Sequence, residues 1–84
     1  MNIFLITKYI NNLTKEDIIS YAKKENITLE QYELDIIYNY IKNYYNDFLN
    51  GKALDILNEL KEKVKINTYN KIENLYFKYK NYLN

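Results

Sequence analysis

The stretch NNLTKEDIISYAKKENITLEQYE, residues 11–33, decides the fold. Two threonines in it are each followed, three positions later, by a polar side chain that can bond back to the backbone. Thr14 is followed by Asp17, and Thr28 by Gln31. This is the capping-box spacing that marks the N-termini of helices. We therefore predict that a helix begins after each threonine, with a short turn between the two helices.

Apolar residues at three- and four-residue steps continue this helical pattern along the chain. There is no proline, and the single glycine, in Asn50-Gly51, is the one sharp break. These features predict an all-α fold: a compact bundle of about five helices forming a single domain, residues 1–84, with the third helix longest and central. The predicted helices cover residues 2–11, 15–25, 29–48 and 52–65, and a fifth begins at a cap formed by Asn67 or Thr68.

Each predicted helix carries an apolar stripe that is expected to face the core. The stripes are Ile3, Ile6, Ile10 and Leu13 on the first helix; Ile18, Ile19 and Ala22 on the second; Leu34, Ile37, Ile41, Tyr45 and Phe48 on the third; Ala53, Leu54, Leu57, Leu60 and Val64 on the fourth; and Tyr69, Ile72, Leu75, Tyr76, Tyr79 and Leu83 on the fifth.

The amino-acid composition limits the class of protein to which this chain can belong. The chain is 48% hydrophobic and 27% charged, which favours a folded domain over disorder. It has no cysteine, no run of membrane-spanning length and no secretory leader, so we expect a soluble cytoplasmic protein that makes no membrane contact. All twelve basic residues are lysines, and isoleucine, asparagine and tyrosine are abundant, as AT-rich codon usage would produce.

The residue inventory argues against an enzyme. Without histidine or cysteine the usual nucleophile–base pairs cannot form, and the only serine, Ser20, has no base beside it on its short helix. Asp55, Glu59 and Glu62 share a face of the fourth helix, but that face lies opposite the apolar stripe and is expected to be solvated. No glycine-rich loop is present to hold a phosphate. We therefore expect no catalytic residue, cofactor, metal or small-molecule substrate.

The third helix has apolar residues on a second face as well. Tyr32, Ile36 and Tyr40 recur every four residues on the side opposite its main stripe. A helix that is apolar all round is either central in a bundle or in contact with a partner. Phe77 and Phe4, which lie off the stripes of their helices, are further candidates for exposure. The favoured hypothesis is a non-enzymatic interaction module that binds a protein partner or itself, for example as an isologous homodimer through the third helix.

A lysine-dependent nucleic-acid-binding protein is the alternative. Lys71, Lys78 and Lys80 lie among tyrosines near the C-terminus, as a surface that stacks bases and contacts phosphates would require. The net charge of +1 gives no broad basic footprint. A mobile-element inhibitor that docks on a nucleic-acid-processing complex is a third hypothesis.

Residues 15–33 also have the spacing of a helix-turn-helix motif. In that motif the N-terminus of the second helix contacts the bases and phosphates of DNA. Here that helix begins with Glu30, Glu33 and Asp35, which phosphates would repel. The motif is therefore not expected to bind DNA.

Three stretches carry a resemblance to a known family: the segment at residues 11–33, FLNGKALDILNELKEKV at residues 48–64, and the closing KIENLYFKYKNYL. Together they resemble domain of unknown function 2624, a family of short uncharacterised proteins from low-GC Gram-positive bacteria. The chain departs from that family in having no arginine. The resemblance implies an all-α fold over nearly the whole chain, and it implies no particular activity.

Overall fold

The structure, a computed structural model, describes the backbone of residues 3–83. That part of the chain is all-α, as predicted, and contains no strand. The helices are α1 (Ile3–Asn12), α2 (Lys15–Lys24), α3 (Gln31–Asp47), α4 (Ala53–Lys61) and α5 (Ile66–Leu83), with Phe48–Lys52 joining α3 to α4. At 17 residues α3 is one residue shorter than α5. The expected start of the first helix at Asn2 lies outside the described residues.

The helix α2 has a defined start and a defined end. The Asp17 backbone N–H donates to Thr14 Oγ1 at 3.1 Å and the Thr14 N–H donates to Asp17 Oδ2 at 2.9 Å, which confirms the predicted capping box. At the other end Asn26 adopts a positive φ of 60°. The Ile27 N–H then reaches back to the Ala22 carbonyl at 2.7 Å. This is a Schellman motif, in which asparagine takes the left-handed position usually held by glycine.

The expected cap at Thr28 is wrong. The helix α3 begins at Gln31, with Glu30 in the N-cap position, and the carboxylate of Glu33 accepts the Glu30 N–H at 3.0 Å. Both Thr28 and Glu30 have the right spacing to a polar partner three residues later. The Schellman turn at Asn26 extends the connection far enough that the helix starts after Glu30.

The break between α3 and α4 lies at the predicted glycine. Asn50 and Gly51 have non-helical dihedral angles, and Gly51 has φ +96°. This is the left-handed region that glycine enters without the steric cost of a Cβ. The two helices can therefore follow each other almost directly while changing direction.

The main core lies where α4 and the start of α5 meet α3. Its buried residues are Leu57, Leu60, Val64 and Tyr69, and the partly buried residues packed on it are Ile36, Tyr40, Phe48, Ile72 and Tyr76. On its other side α3 packs against α1 and α2. The central position predicted for the third helix is thus supported by its contacts on both sides.

Two residues of the predicted stripes face solvent instead. Ile19 on α2 is 36% exposed and Leu54 on α4 is 59% exposed, whereas Ile56, which the prediction omitted, is buried. At 100° per residue Leu54 lies about a quarter-turn from the line through Ala53 and Leu57, so it falls outside the buried arc. The side chains of Ile3, Tyr79 and Leu83 lie outside the described residues.

The predicted cap of the fifth helix is also wrong. The helix α5 begins at Ile66, before Asn67 and Thr68, and Thr68 is buried in its first turn. The backbone N–H of Lys65 is satisfied by the carboxylate of Glu33 on α3, at 3.0 Å. The hydrogen-bond acceptor at the start of α5 is therefore a side chain of another helix, and not Asn67 or Thr68 as predicted.

Candidate functional site

An apolar cleft of about 320 Å³ opens between the α1–α2 pair and α5, with α3 at its base. Residues from α1, α2, the turn after α2, α3 and α5 line it. They are Tyr9, Ile10, Leu13, Asp17, Ile18, Tyr21, Ala22, Ile27, Leu29, Ile37, Ile41, Ile72 and Leu75. Asp17 is the one charged residue in this lining. The cleft exists because the inward stripes of these four helices approach one another without closing completely.

Beside the cleft, α1 presents large apolar side chains to solvent. Phe4 is 81% exposed, and Leu5 and Tyr9 are each 66% exposed. Leu5 and Tyr9 are four residues apart and therefore neighbours along one side of the helix. Tyr9 also lines the apolar cleft, so Leu5 and Tyr9 continue the apolar surface of the cleft along α1, whereas Phe4 lies further round the helix. We call Phe4, Leu5 and Tyr9 the α1 face.

The position of α1 is set by polar contacts to α3. The ammonium group of Lys42 donates to the carbonyl oxygens of Ile10 and Asn11, at 2.6 and 3.0 Å. Carbonyls in the last turn of a helix lack partners within the helix, so a lysine there satisfies them and complements the helix dipole. The Tyr45 hydroxyl lies 3.4 Å from Thr7 Oγ1. These contacts hold α1 on α3 through its inner side and leave the α1 face outward.

Further contacts fix the other walls of the cleft. Lys15 at the start of α2 pairs with Asp35 on α3 at 2.8 Å. Across the cleft, the ammonium group of Lys71 on α5 donates to the carbonyl of Asn26 in the Schellman turn. The walls are thus joined at their polar edges, whereas the space between them is apolar.

The sequence-predicted interface residues of α3 have different environments. Tyr32 is 48% exposed, whereas Ile36 and Tyr40 are half-buried against the core formed with α4 and α5. The structure therefore does not bring the three together as one open surface. Much of this stripe contacts the chain's own helices, as a central helix would.

Phe77 is 49% exposed, in agreement with its expected exposure. Its ring packs edge-on against Tyr76, with centroids 5.3 Å apart, and the ammonium group of Lys80 lies 5.2 Å from its centroid. The lysines proposed to contact nucleic acid, Lys71, Lys78 and Lys80, are all exposed on α5.

Glu33 is the one described side chain that is both large and fully buried. One carboxylate oxygen accepts the Glu30 N–H and the other accepts the Lys65 N–H, each at 3.0 Å. Burial by itself raises the pKa of Glu33, but hydrogen bonds from the Glu30 N–H, the Thr68 hydroxyl and the Lys65 N–H outweigh it and lower the pKa below its ordinary value. The carboxylate therefore stays ionised between two helix N-termini.

The three acids at the start of α3 have structural partners. Glu33 is fully buried, so it is not at the surface where it was expected to repel phosphates. Glu30 pairs with Lys65 at 2.9 Å, and Asp35 pairs with Lys15. Their charges are thus used within the fold. Hydrogen bonding to Lys15 lowers the pKa of Asp35, and hydrogen bonding to Asp35 raises the pKa of Lys15.

The described residues contain no cluster of three or more acidic side chains arranged to hold a metal ion. Asp55 and Glu59 on α4 and Glu62 directly after it are exposed, as expected. Within the same part of the chain, none of the helices combines the length and the hydropathy needed to cross a bilayer.

Within the α1 face only Phe4 was singled out from the sequence, as a candidate for exposure; Leu5, Tyr9 and the apolar cleft were not predicted as a site. A signal for the face was present, because Leu5 and Tyr9 lie on a side of α1 that the inward stripe through Ile6, Ile10 and Leu13 does not include. No comparable local signal existed for the cleft, since its walls come from four helices whose relative positions depend on Lys42, Lys71 and other long-range contacts.

Fold and surface together define a small helical protein with an exposed apolar face. The chain belongs to the family described as "Protein of unknown function (DUF2624)", whose model matches residues 1–80. The resemblance stated from the sequence is thereby confirmed. No curated protein and no solved structure matches the chain.

Proposed function

We propose that this protein is a non-enzymatic helical module that binds another protein or a second copy of itself through the α1 face and the apolar cleft. The observation that supports the proposal is the continuity of the two features through Tyr9, which is both 66% exposed and part of the cleft lining. Contiguous apolar patches of this kind on small proteins mark interaction sites. The proposal places the module in the cytoplasm.

The chemical character of the surface fits a protein ligand. Interface centres are rich in tyrosine, phenylalanine and other large apolar side chains and poor in charge. The α1 face contributes two aromatic rings and a leucine, and the cleft adds one carboxylate among apolar walls. A helix or turn with large apolar side chains could bury them there with little cost in desolvated charge.

Nucleic-acid binding is less well supported as a function of this surface. Lys8 is an exposed cation beside Phe4 and Leu5 on α1, and the ammonium group of Lys71 is already engaged by the Asn26 carbonyl. Binding to a polyanion depends on several available cations along one surface. A lysine-dependent interaction and docking on a nucleic-acid-processing complex are therefore kept as outcomes of the test below.

The test is affinity capture by the purified full-length chain from a nuclease-treated lysate, followed by reconstitution with the purified captured protein. The informative variant is Leu5→Gln, because Leu5 is 66% exposed and its replacement should leave the fold intact. Leu54→Gln is the matched control, since Leu54 is a 59% exposed leucine on α4 that does not line the cleft.

We expect reconstituted binding to be weakened by Leu5→Gln and unchanged by Leu54→Gln. If Tyr32→Gln abolishes binding and Leu5→Gln does not, the binding site lies on α3. Binding that requires nucleic acid and is lost when Lys71, Lys78 and Lys80 are neutralised would replace the proposal with the nucleic-acid alternative. Equal binding by wild type and Leu5→Gln would contradict the proposed surface.

A further inference from the structure

We infer that the apolar cleft receives a segment of another protein in which a lysine or arginine accompanies large apolar side chains. The apolar side chains of that segment would fill the cleft, and its cation would be held at one end by Asp17 and Tyr9. This inference rests on the proposed function and states the chemistry of the partner.

The first support is the polar chemistry of the cleft lining. Within the described residues this lining contains no lysine and no amide side chain, and its one charged group is the carboxylate of Asp17. A carboxylate only accepts hydrogen bonds, and covering it with an apolar surface costs free energy unless a donor is supplied. A segment that fills the cleft therefore needs a donor at Asp17, and a cationic donor forms the stronger, charge-assisted hydrogen bond.

The second support is the hydrogen bonding of Asp17 itself. One of its oxygens, Oδ2, accepts the backbone N–H of Thr14 at 2.9 Å. Among the described residues the other oxygen, Oδ1, has neither a hydrogen-bond donor nor an ion pair. The neighbouring lysine at the start of α2, Lys15, pairs with Asp35 on α3 instead, at 2.8 Å. The carboxylate of Asp17 therefore keeps its charge and an acceptor oxygen for a ligand.

The third support is the placement of the nearby lysines. The ammonium groups of Lys42 and Lys71 are engaged by backbone carbonyls at the edges of the cleft. The exposed Lys8 lies at least about 100° around α1 from the residues that line the cleft. Lys24 is on the same side of α2 as Asp17, but it is about 10 Å further along the helix. The Asp17 end of the cleft is therefore negative, which complements a cationic partner.

The fourth support is the ring of Tyr9. Tyr9 lies in the last turn of α1 and Asp17 in the first turn of α2, with only residues 13–14 between the two helices, and both side chains line the cleft. Elsewhere in the fold the ammonium group of Lys61 lies 5.6 Å from the ring centroid of Tyr69. No described lysine lies over the Tyr9 ring in this way. A cation bound to Asp17 would gain cation–π attraction to this exposed ring.

Three probes with the same apolar chain test the charge preference of the cleft: n-hexylammonium, 1-hexanol and hexanoate. They are titrated into the full chain at constant ionic strength, and the backbone amide NMR shifts of cleft residues such as Leu13, Ile18 and Leu75 give the three dissociation constants. We expect hexylammonium to bind about fivefold more tightly than hexanol, and hexanoate to bind most weakly. Hexylammonium binding no tighter than hexanol, or no shift at the cleft with any probe, would overturn the inference.

A matched pair of variants tests the role of Asp17. Asp17→Asn removes the charge and keeps a side-chain oxygen that can accept the Thr14 N–H. Glu16→Gln removes a charge from the same turn of α2, at a position outside the cleft lining. We expect Asp17→Asn to abolish the preference for hexylammonium over hexanol and Glu16→Gln to retain it, with circular dichroism checking that each variant is folded. The same preference in both variants would overturn the role of Asp17.

A second pair of variants tests the ring of Tyr9. Tyr9→Leu keeps an apolar side chain and removes the aromatic face, so it should reduce the preference for hexylammonium by about twofold. Tyr32→Leu changes an exposed tyrosine of α3 outside the cleft lining and should leave the preference unchanged. A Tyr9→Leu variant with the wild-type preference would contradict the part assigned to this ring.

Reconstituted binding of a captured protein tests the inference on a protein partner. Asp17→Asn should weaken that binding by about fivefold, Glu16→Gln should not, and added salt should reduce the difference between the two variants. Overlapping peptides of the captured protein should locate the binding in a segment that contains lysine or arginine. Replacement of that cation by glutamine should weaken binding to the wild type and cause no further loss in Asp17→Asn.

The outcomes separate this inference from the proposed function. If Leu5→Gln weakens binding while Asp17→Asn and Glu16→Gln bind alike, the interaction module stands and the cationic partner is overturned. If neither Leu5→Gln nor Asp17→Asn weakens binding, both proposals fail.

Discussion

The carboxylate of Glu33 on α3 accepts the backbone N–H of Lys65, the residue before α5, at 3.0 Å, although the two residues are 32 positions apart. Its other oxygen performs the same role for Glu30 at the start of its own helix. In a capping box the third residue of a helix supplies this acceptor to one N-terminus. Here a single buried carboxylate supplies it to two and so fixes α5 against α3.

We predict that Glu33→Gln lowers the free energy of unfolding by about 2–3 kcal/mol. The substitution removes the negative charge next to two helix N-termini and turns an amide N–H₂ towards groups that also donate, which leaves buried donors unsatisfied. Urea unfolding monitored by circular dichroism measures the change. Glu59→Gln on the exposed side of α4 is the control and should stay within about 0.5 kcal/mol of the wild type. A Glu33→Gln variant as stable as this control would show that the double cap contributes little.

The stability of the protein should fall at acidic pH, and Glu33 should account for part of that fall. Hydrogen bonds from the two N–H groups and the Thr68 hydroxyl outweigh the opposing effect of burial, so the pKa of Glu33 in the folded chain lies below its ordinary value of 4.5. Between those two pKa values the unfolded chain binds more protons. The stabilisation is therefore complete above about pH 4.5 and is lost as the pH falls through the lower pKa.

The corresponding measurement compares the free energies of unfolding at about pH 7 and about pH 3 in the wild type and in Glu33→Gln. We expect a smaller difference in the variant, which has no carboxyl group to protonate at this position. The same difference in both proteins would mean that other carboxylates determine the acid sensitivity.

We predict that Thr14→Ala lowers the free energy of unfolding by about 1 kcal/mol, whereas Thr28→Ala has almost no effect. The Thr14 hydroxyl accepts the Asp17 N–H, while α3 begins after Glu30 and does not use Thr28 as its cap. Thermal unfolding of the two variants side by side is sufficient. Equal destabilisation by the two substitutions would contradict this account and indicate that Thr28 caps α3.

The Schellman turn at Asn26 gives a further prediction. Asn26→Ala should lower the free energy of unfolding by about 1 kcal/mol, because alanine is disfavoured at a φ of 60°. Asn26→Gly should be close to the wild type, since glycine enters this region readily and the carbonyl that accepts from Lys71 is retained. Urea unfolding of both variants measures the contrast, and a glycine variant less stable than the alanine variant would contradict this explanation.

Two parts of the fold that local sequence determines were predicted correctly, whereas the cap of α3, which is the local Glu30–Glu33 box, was placed at Thr28 instead. The Thr14–Asp17 box and the break at Gly51 depend on residues within a few positions of each other, so spacing alone identifies them. The start of α5 was missed because its N–H acceptor comes from Glu33, which is distant in sequence. Rules based on local spacing cannot identify a partner that is distant in sequence.

The same distinction explains the candidate site. A surplus of apolar residues on α3 was visible in the sequence, but whether Ile36 and Tyr40 are covered depends on how α4 and α5 pack. The packing covers much of that stripe and leaves Leu5 and Tyr9 exposed on α1 instead. Periodicity identifies which residues are apolar on each face, and tertiary contacts decide which face remains open.

Amide hydrogen exchange of the chain with and without its binding partner, which is a captured protein or, at raised concentration, a second copy, tests the docking surface most directly, because it reports which segments become protected on binding. We predict that binding slows exchange in α1 and in the part of α2 beside the cleft, with little change in α4, and that Leu5→Gln abolishes this protection. Unchanged exchange in α1 when the partner is bound, or protection that appears in α4 and not in α1, would contradict the account.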